Sequence, residues 1–214
     1  MRLGPDYVYQ CPDCGEKVLQ MDVQSVYSFG CSFYSDQRMD GPMFYSPAPI
    51  CRCKKCNHIY WLDHRNQTGS YPVLSEAPEK EAIPRAETPT LKDYFDAIHQ
   101  KAFHSKMELT YLRKKIWQTG NRLLASKTPL PSGCSRNDLL QNMQELYLLV
   151  PDINENHKLM KAELARNMGD FESCRELLDY IIDREYEETT SRILDECFRE
   201  NTETILLWED KIPC

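Results

Sequence analysis

The sequence predicts an α+β protein, with a small antiparallel β region first and an all-α region of helical hairpins after it. Three observations carry this expectation. Residues 1–65 place strand-forming residues around tight turns and show no helical period. From Leu91 onward the apolar residues recur every three to four positions, which is the period of a helix face. Between the two lies a polar stretch interrupted by prolines. The expected organisation is a β domain over 1–65, a Pro-rich polar linker over 66–87 and an all-α domain over 88–214.

In the first region Tyr7-Val8-Tyr9-Gln10 leads into Cys11-Pro12-Asp13-Cys14-Gly15, and Lys17-Val18-Leu19-Gln20-Met21 leads out. Val23 to Phe33 alternates loosely. Pro42, Pro47 and Pro49 then break the chain before Ile50. The run from Cys51 to Leu62 reads as a turn flanked by strands, ending Ile59-Tyr60-Trp61-Leu62. The linker opens on Asn66-Gln67-Thr68-Gly69-Ser70, contains Pro78 and Pro84 and is followed by Pro89, so an extended, loosely packed segment is expected.

The helical region starts at Thr90, an N-cap with Asp93 three residues on, a capping-box variant. Leu91, Phe95, Ile98 and Ala102 make a first apolar stripe. Leu109, Leu112, Ile116 and Trp117 make a second, ended by Gly120. Residues 126–137 read as a loop. Leu139, Leu140, Met143, Leu146 and Leu149 form a third stripe stopped by Pro151. Further helices are expected over about 154–167, 170–182 and 187–200, with a last short helix carrying Ile205, Leu206 and Trp208.

The net charge of −7 is uneven. Residues 1–65 hold seven basic and seven acidic side chains, so the whole excess lies in residues 66–214. Within residues 1–65 only Arg52, Lys54 and Lys55 cluster. Duplex nucleic acid is disfavoured as a partner, because affinity for it comes largely from neutralising phosphates. No run of about eighteen apolar residues occurs, so no membrane-spanning helix is expected. The start, Met1-Arg2-Leu3-Gly4-Pro5-Asp6, lacks an apolar leader core, and a cytoplasmic location is expected.

The ten cysteines are the most informative residues. Cys11, Cys14, Cys31, Cys51, Cys53 and Cys56 fall in the β region; Cys134, Cys174, Cys197 and Cys214 are scattered through the helical one. This placement suggests a metal for the first group and packing for the second, in a reducing compartment. Cys11-Pro12-Asp13-Cys14-Gly15 and Cys53-Lys54-Lys55-Cys56-Asn57 each separate two thiols by two residues. A tight turn at that spacing lets both sulfurs face one ion. The residue after the second cysteine then needs positive φ, which Gly15 supplies freely and Asn57 tolerates. Two such knuckles give four-thiolate tetrahedral coordination by Cys11, Cys14, Cys53 and Cys56, the closed arrangement of structural zinc.

Alternatives remain open at this point. Cys51 lies on the same face of an extended strand as Cys53 and could replace it as ligand. Cys31, His58 and His64 are weaker ligand candidates. Four thiolates also accept iron, which would make a rubredoxin-like electron carrier. A redox role for the Cys11–Cys14 pair alone would need a helix to follow it, and none is expected. No His-x-Glu or His-Glu-x-x-His motif accompanies the cysteines, so the expected zinc is structural rather than catalytic.

The β region also resembles an uncharacterised family of bacterial zinc-ribbon proteins. The residues carrying this are Ser28 to Asp36, Gly41-Pro42-Met43, Ser46-Pro47-Ala48-Pro49, Arg52-Cys53-Lys54-Lys55-Cys56 and Tyr60-Trp61-Leu62-Asp63. In that family an aromatic–Ser/Thr–Asp turn and a Pro-Met segment precede the second knuckle, and an aromatic-Trp-Leu/Ile-Asp stretch follows. This chain departs from it at Gln37, where glycine is common, at Asn57 and at the extra Cys51. The resemblance implies a fold and a metal, and no reaction.

A second resemblance, over His157 to Leu178, is to one tetratricopeptide unit. Ala162 and Cys174 sit at the small positions where two helices cross. Gly169-Asp170-Phe171 makes the turn, with Asp170 as N-cap, and Leu178 and Ile181 continue the core face. No sequence at an offset of about 34 residues repeats this unit, and the rival reading is an ordinary helical bundle.

No phosphate-binding loop, dinucleotide fingerprint or nucleophile-elbow motif is present. His99, His104 and His157 stand apart from one another, and Glu185, Glu187 and Glu188 suit a solvated helix start. The sequence therefore points to a non-enzymatic, zinc-binding adaptor with an unidentified protein partner. Its rivals are a nucleic-acid-associated factor using Arg52, Lys54, Lys55 and exposed Tyr60 and Trp61, and an electron-transfer protein.

Overall fold

The computed structural model of the chain describes residues 2–42 and 44–210; Met43 and Cys214, both named above, lie outside the described residues. An antiparallel β region precedes a run of helices, so the architecture is α+β. The chain divides into two compact units. Unit 1 comprises Met1–Phe29 and Gly41–Phe103, and unit 2 comprises Gly30–Asp40 and His104–Cys214.

In unit 1, β1 (Arg2–Gln10) pairs antiparallel with β2 (Lys17–Ser25) on one side. Its register slips between Leu3 and Asp6, where Pro5 has no N–H to give a ladder. β1 is central because a further strand, Gln67–Tyr71, pairs with its other edge. A separate hairpin joins Ile50–Arg52 to Ile59–Trp61, and Ile50, Cys51, Ile59, Tyr60 and Trp61 are all buried. The expected linker over 66–87 is thus partly a strand.

More of that segment is pinned than its composition suggests. Pro84 O accepts from Leu19 N–H, and Ala86 N–H donates back to Leu19 O, both at 2.8 Å. Asp6, buried in β1, is met by Lys80 and Arg85, each at 2.9 Å. A buried carboxylate needs such partners, and they come from the polar segment. Helix Leu91–His99 also belongs to unit 1 and starts at the Thr90/Asp93 capping box that the sequence predicts. Its buried face is Leu91, Tyr94 and Ala97, one residue round from the expected stripe. Trp61 Nε1 donates to Ala102 O at 2.7 Å, and Ile59 N–H to Gln100 Oε1 at 3.3 Å.

With strands and helices numbered in chain order, β3 is Ser32–Tyr34, β4 Met39–Asp40, β5 Ile50–Arg52, β6 Ile59–Trp61, β7 Gln67–Tyr71 and β8 Leu206–Glu209. The helices are α1 Pro78–Glu81, α2 Leu91–His99, α3 Lys106–Ala125, α4 Arg136–Leu149, α5 Glu155–Met168, α6 Phe171–Asp179 and α7 Glu187–Phe198. Unit 2 contains α3 to α7 and a small sheet ordered β4-β3-β8.

Two expectations fail in unit 2 for physical reasons. The expected last helix is strand β8. Trp208 stacks on Phe33 with ring centroids 3.6 Å apart, and the ladder with β3 supplies the backbone partners. Helix α3 does not end at Gly120 but runs on to Ala125. Gly120 is small because Leu139 of α4 lies over it; a Cβ there would meet Leu139 Cδ2 at 2.6 Å. Leu140, placed in the third stripe, is exposed, while Leu139 and Leu146 are buried.

Ser105, Ser135, Asn154 and Asp170 cap α3 to α6, each side chain accepting from the N–H three residues on. α5 ends at Gly169, in the left-handed conformation. Leu159, Ala162, Ala165, Cys174, Leu178, Ile193, Cys197 and Leu207 form one apolar cluster. Within this unit Glu163 and Arg166 are fully buried and paired at 2.6 Å, and Arg166 also donates to the carbonyls of Asn201 and Glu203.

The turn between β3 and β4 holds a second buried charge. Gln37 lies at φ 60°, a left-handed conformation that glycine adopts most freely. Its side chain offsets the strain, accepting from Lys114 Nζ at 2.6 Å and donating to Asn156 Oδ1 at 2.9 Å. Next to it Asp36 has no exposure. Its carboxylate accepts from Arg38 N–H at 3.2 Å and Asn121 Nδ2 at 3.3 Å. Burial outweighs these donors and the Arg38 charge, and pushes the carboxyl up to about 6.

A folded-state value above the unfolded one means that Asp36 favours folding most at low pH and loses that contribution as pH rises through about 6. The unfolding free energy of the native chain minus that of Asp36→Asn should therefore fall between pH 4 and pH 7, by roughly 2 kcal/mol. Denaturant unfolding of both proteins across this range measures it. A flat difference would refute the assignment.

Candidate metal centre

The centre is built by two turns of the same design. After β1, Cys11 N–H donates to Glu16 O at 2.8 Å and Gly15 N–H to Cys11 O at 3.0 Å. After β5, Cys53 N–H donates to His58 O at 2.8 Å and Asn57 N–H to Cys53 O at 2.9 Å. The fifth residue of each is left-handed, Gly15 at φ 73° and Asn57 at φ 62°. Asparagine thus takes the conformation that the spacing demands, as the sequence predicts.

The four sulfurs of Cys11, Cys14, Cys53 and Cys56 lie within 4.8 Å of one another. Cys11 and Cys56 are 3.6 Å apart, and Cys14 and Cys53 are 3.5 Å apart. A tetrahedron of sulfurs at metal–sulfur bonds of about 2.3 Å has edges of about 3.8 Å. The two pairs therefore sit close to the edge length that a four-thiolate ion requires. Among the described residues this is the one group of three or more ligand-type side chains so placed.

The electrostatics also fit a cation. Burial opposes ionisation of Cys53, but the N–H groups of Cys56 and Lys55 aim at its sulfur and bring it down to about 7. Burial raises Cys11, against the N–H groups of Cys14 and Asp13. At Cys56 the His58 N–H favours the thiolate, yet burial and the neighbouring sulfurs of Cys14, Cys53 and Cys11 hold the thiol well above its ordinary value. Four adjacent thiols resist losing all their protons together. A bound dication removes that resistance and would displace the protons.

The other sequence candidates lie elsewhere. Cys51, directly across from Tyr60 in the hairpin, is outside the quartet and packs in the apolar cluster of Tyr9, Tyr60 and Leu62. Burial pushes its thiol up to about 11. Cys31 is fully buried in unit 2. His58 lies against Tyr60, with ring centroids 6.5 Å apart, and His64 is exposed. The nine described cysteines form no disulfide.

Two expectations about the surroundings are corrected. Tyr60 and Trp61 are buried, at 4% and 8% exposure, because the hairpin packs against α2. The basic cluster is also internally paired. Arg52 bridges Asp93 and Asp96 of α2, both at 2.5 Å, Lys54 pairs with Glu87 at 2.6 Å and Lys55 with Glu16 at 3.7 Å. The sequence names the four cysteines, but not the backbone N–H groups that point at them; only the Cys-x-x-Cys-Gly/Asn spacing signals those donors.

No protein-family model, curated protein or solved structure matches this chain. Among the described residues no helix is long and apolar enough to cross a membrane. The metal-site assignment stands on the chain's own geometry.

The left-handed turn at Asn57 gives a direct test. Asn57→Gly should leave unit 1 as stable as before or slightly more so. Asn57→Val should lower its stability by about 1–2 kcal/mol, the cost of that conformation for a branched side chain. Thermal unfolding of both metal-loaded proteins decides it, and equal midpoints would refute the turn geometry.

Proposed function

We propose that the chain is a non-enzymatic zinc-binding protein that serves as a protein-interaction adaptor in the cytoplasm. The quartet of Cys11, Cys14, Cys53 and Cys56 supports this reading most directly. Zinc bound by four thiolates leaves no open coordination position, so its role is to hold unit 1 together. The two turns that carry the sulfurs meet over an apolar cluster of Tyr9, Cys11, Cys51, Cys53, Tyr60 and Leu62, which a bound ion would lock together.

The adaptor role rests on unit 2. Three observations on the α5–α6 hairpin support a tetratricopeptide-like reading. Gly169 is left-handed at the turn, Asp170 caps α6, and Ala162 and Cys174 have no exposure at the helix crossing. Helices packed in this way present extended surfaces for protein partners. The ion pairs of Arg52, Lys54 and Lys55 count against the rival nucleic-acid reading, since those charges already have acidic partners.

Elemental analysis of the purified chain should find one zinc and no iron. Cys53→Ala should lose the metal and Cys51→Ala should keep it, with the helical circular dichroism of unit 2 retained in both. Iron with a visible absorption band would replace this reading by the electron-transfer one. Gel-shift titrations with duplex and single-stranded nucleic acid at low salt should show no binding, and a salt-dependent shift would overturn the choice of a protein partner.

A further inference from the structure

Cys174 on α6 and Cys197 on α7 are 0% and 1% exposed, and Cys197 Sγ approaches Cys174 Sγ to 2.8 Å. This is closer than either sulfur pair of the metal quartet. Among the described residues no third ligand-type side chain joins them, so the pair is not a second metal site. Cys197 lines a cavity of about 380 Å³, whose other walls include Gly169, Asp170, Glu172, Phe198 and Glu200, all exposed. Arg175 lines the same cavity.

We propose that Cys174 and Cys197 form a reversible dithiol–disulfide pair, oxidised by hydrogen peroxide that enters through this cavity. Cys197 is the attacking sulfur. Its thiolate bonds to one peroxide oxygen, the O–O bond breaks, and the departing hydroxide takes up the proton that the Cys197 thiol released, becoming water. Cys197 is then a sulfenic acid. The Cys174 sulfur attacks it, the S–O bond breaks, and the hydroxide leaves as a second water with the Cys174 proton. Two thiols are oxidised and one peroxide is reduced to two waters. A thiol reductant reverses the bond by exchange.

Burial raises both thiols above their ordinary value, so the reaction is slower than at an exposed low-pKa cysteine. At Cys197 the charges of Arg166 and Arg175 oppose that rise. The product would cross-link α6 to α7 over 23 residues of chain, through the core cluster of unit 2. The inference does not depend on the metal reading.

The test is to expose the reduced full-length protein to hydrogen peroxide, alkylate the remaining thiols, digest with trypsin and map the peptides by mass spectrometry. The expected result is a linked pair, Asn167–Arg175 with Ile193–Arg199, that disappears after dithiothreitol. Cys174→Ala should trap a dimedone-reactive sulfenic acid at Cys197, and Cys197→Ala should leave Cys174 unreacted. Free, alkylated Cys174 and Cys197 after oxidation of the quartet would overturn the proposal, as would a link from either to a different cysteine. The native-chain map decides the matter even where an alanine variant fails to fold.

Discussion

Four sulfurs held within 4.8 Å of one another are the constraint around which unit 1 is organised. They come from two turns separated by 38 residues of chain. Each turn is closed by two backbone hydrogen bonds and one left-handed residue, so the sulfurs project from fixed points. β1 delivers the first turn and β5 the second, and the hairpin of β5 and β6 is braced by α2 through Arg52, Gln100 and the Trp61 indole. Thiols this close favour a shared cation over independent ionisation. The apolar cluster of Tyr9, Cys11, Cys51, Cys53, Tyr60 and Leu62 packs against the same two turns.

Unit 2 is organised differently, around apolar helix crossings with charges buried inside them. The Glu163–Arg166 pair is fully enclosed, and Arg166 spends its remaining donors on the carbonyls of Asn201 and Glu203. Those contacts set where the chain emerges from α7, and therefore where β8 can meet β3. Asp36 sits in the same unit behind the strained Gln37 turn. Buried charges of this kind contribute less to net stability than to the choice of a single arrangement, because any other arrangement would leave them unpaired.

The metal knuckles and most helices were legible in the sequence because their determinants are local. Cys-x-x-Cys spacing, the Thr90/Asp93 box, the Asp170 cap and the Gly169 turn each act within a few residues. The period of Leu112, Ile116 and Trp117 is local in the same sense. The failures were at places governed by distant partners. The polar segment over 66–87 became β7 and a set of anchors for Asp6 and Leu19, which composition cannot foretell. Gly120 read as a helix end but is an accommodation for Leu139. Trp208 read as helical and is a strand residue because Phe33 offers it a ring face and a ladder.

By itself, then, the sequence determined the two-part α+β organisation, the four thiols suited to a metal and the turn conformations that present them. These follow from chain-local sterics and spacing. The tertiary structure decided which of Cys51 and Cys53 stands among the four sulfurs, that Tyr60 and Trp61 turn inward, and that Gly30–Asp40 and α2 belong to different units from those their neighbours in sequence suggest. It also decided that Cys174 and Cys197, 23 positions apart, meet in one core. Each of these depends on which surfaces close against each other, and that is set by the packing and pairing of segments remote in the chain.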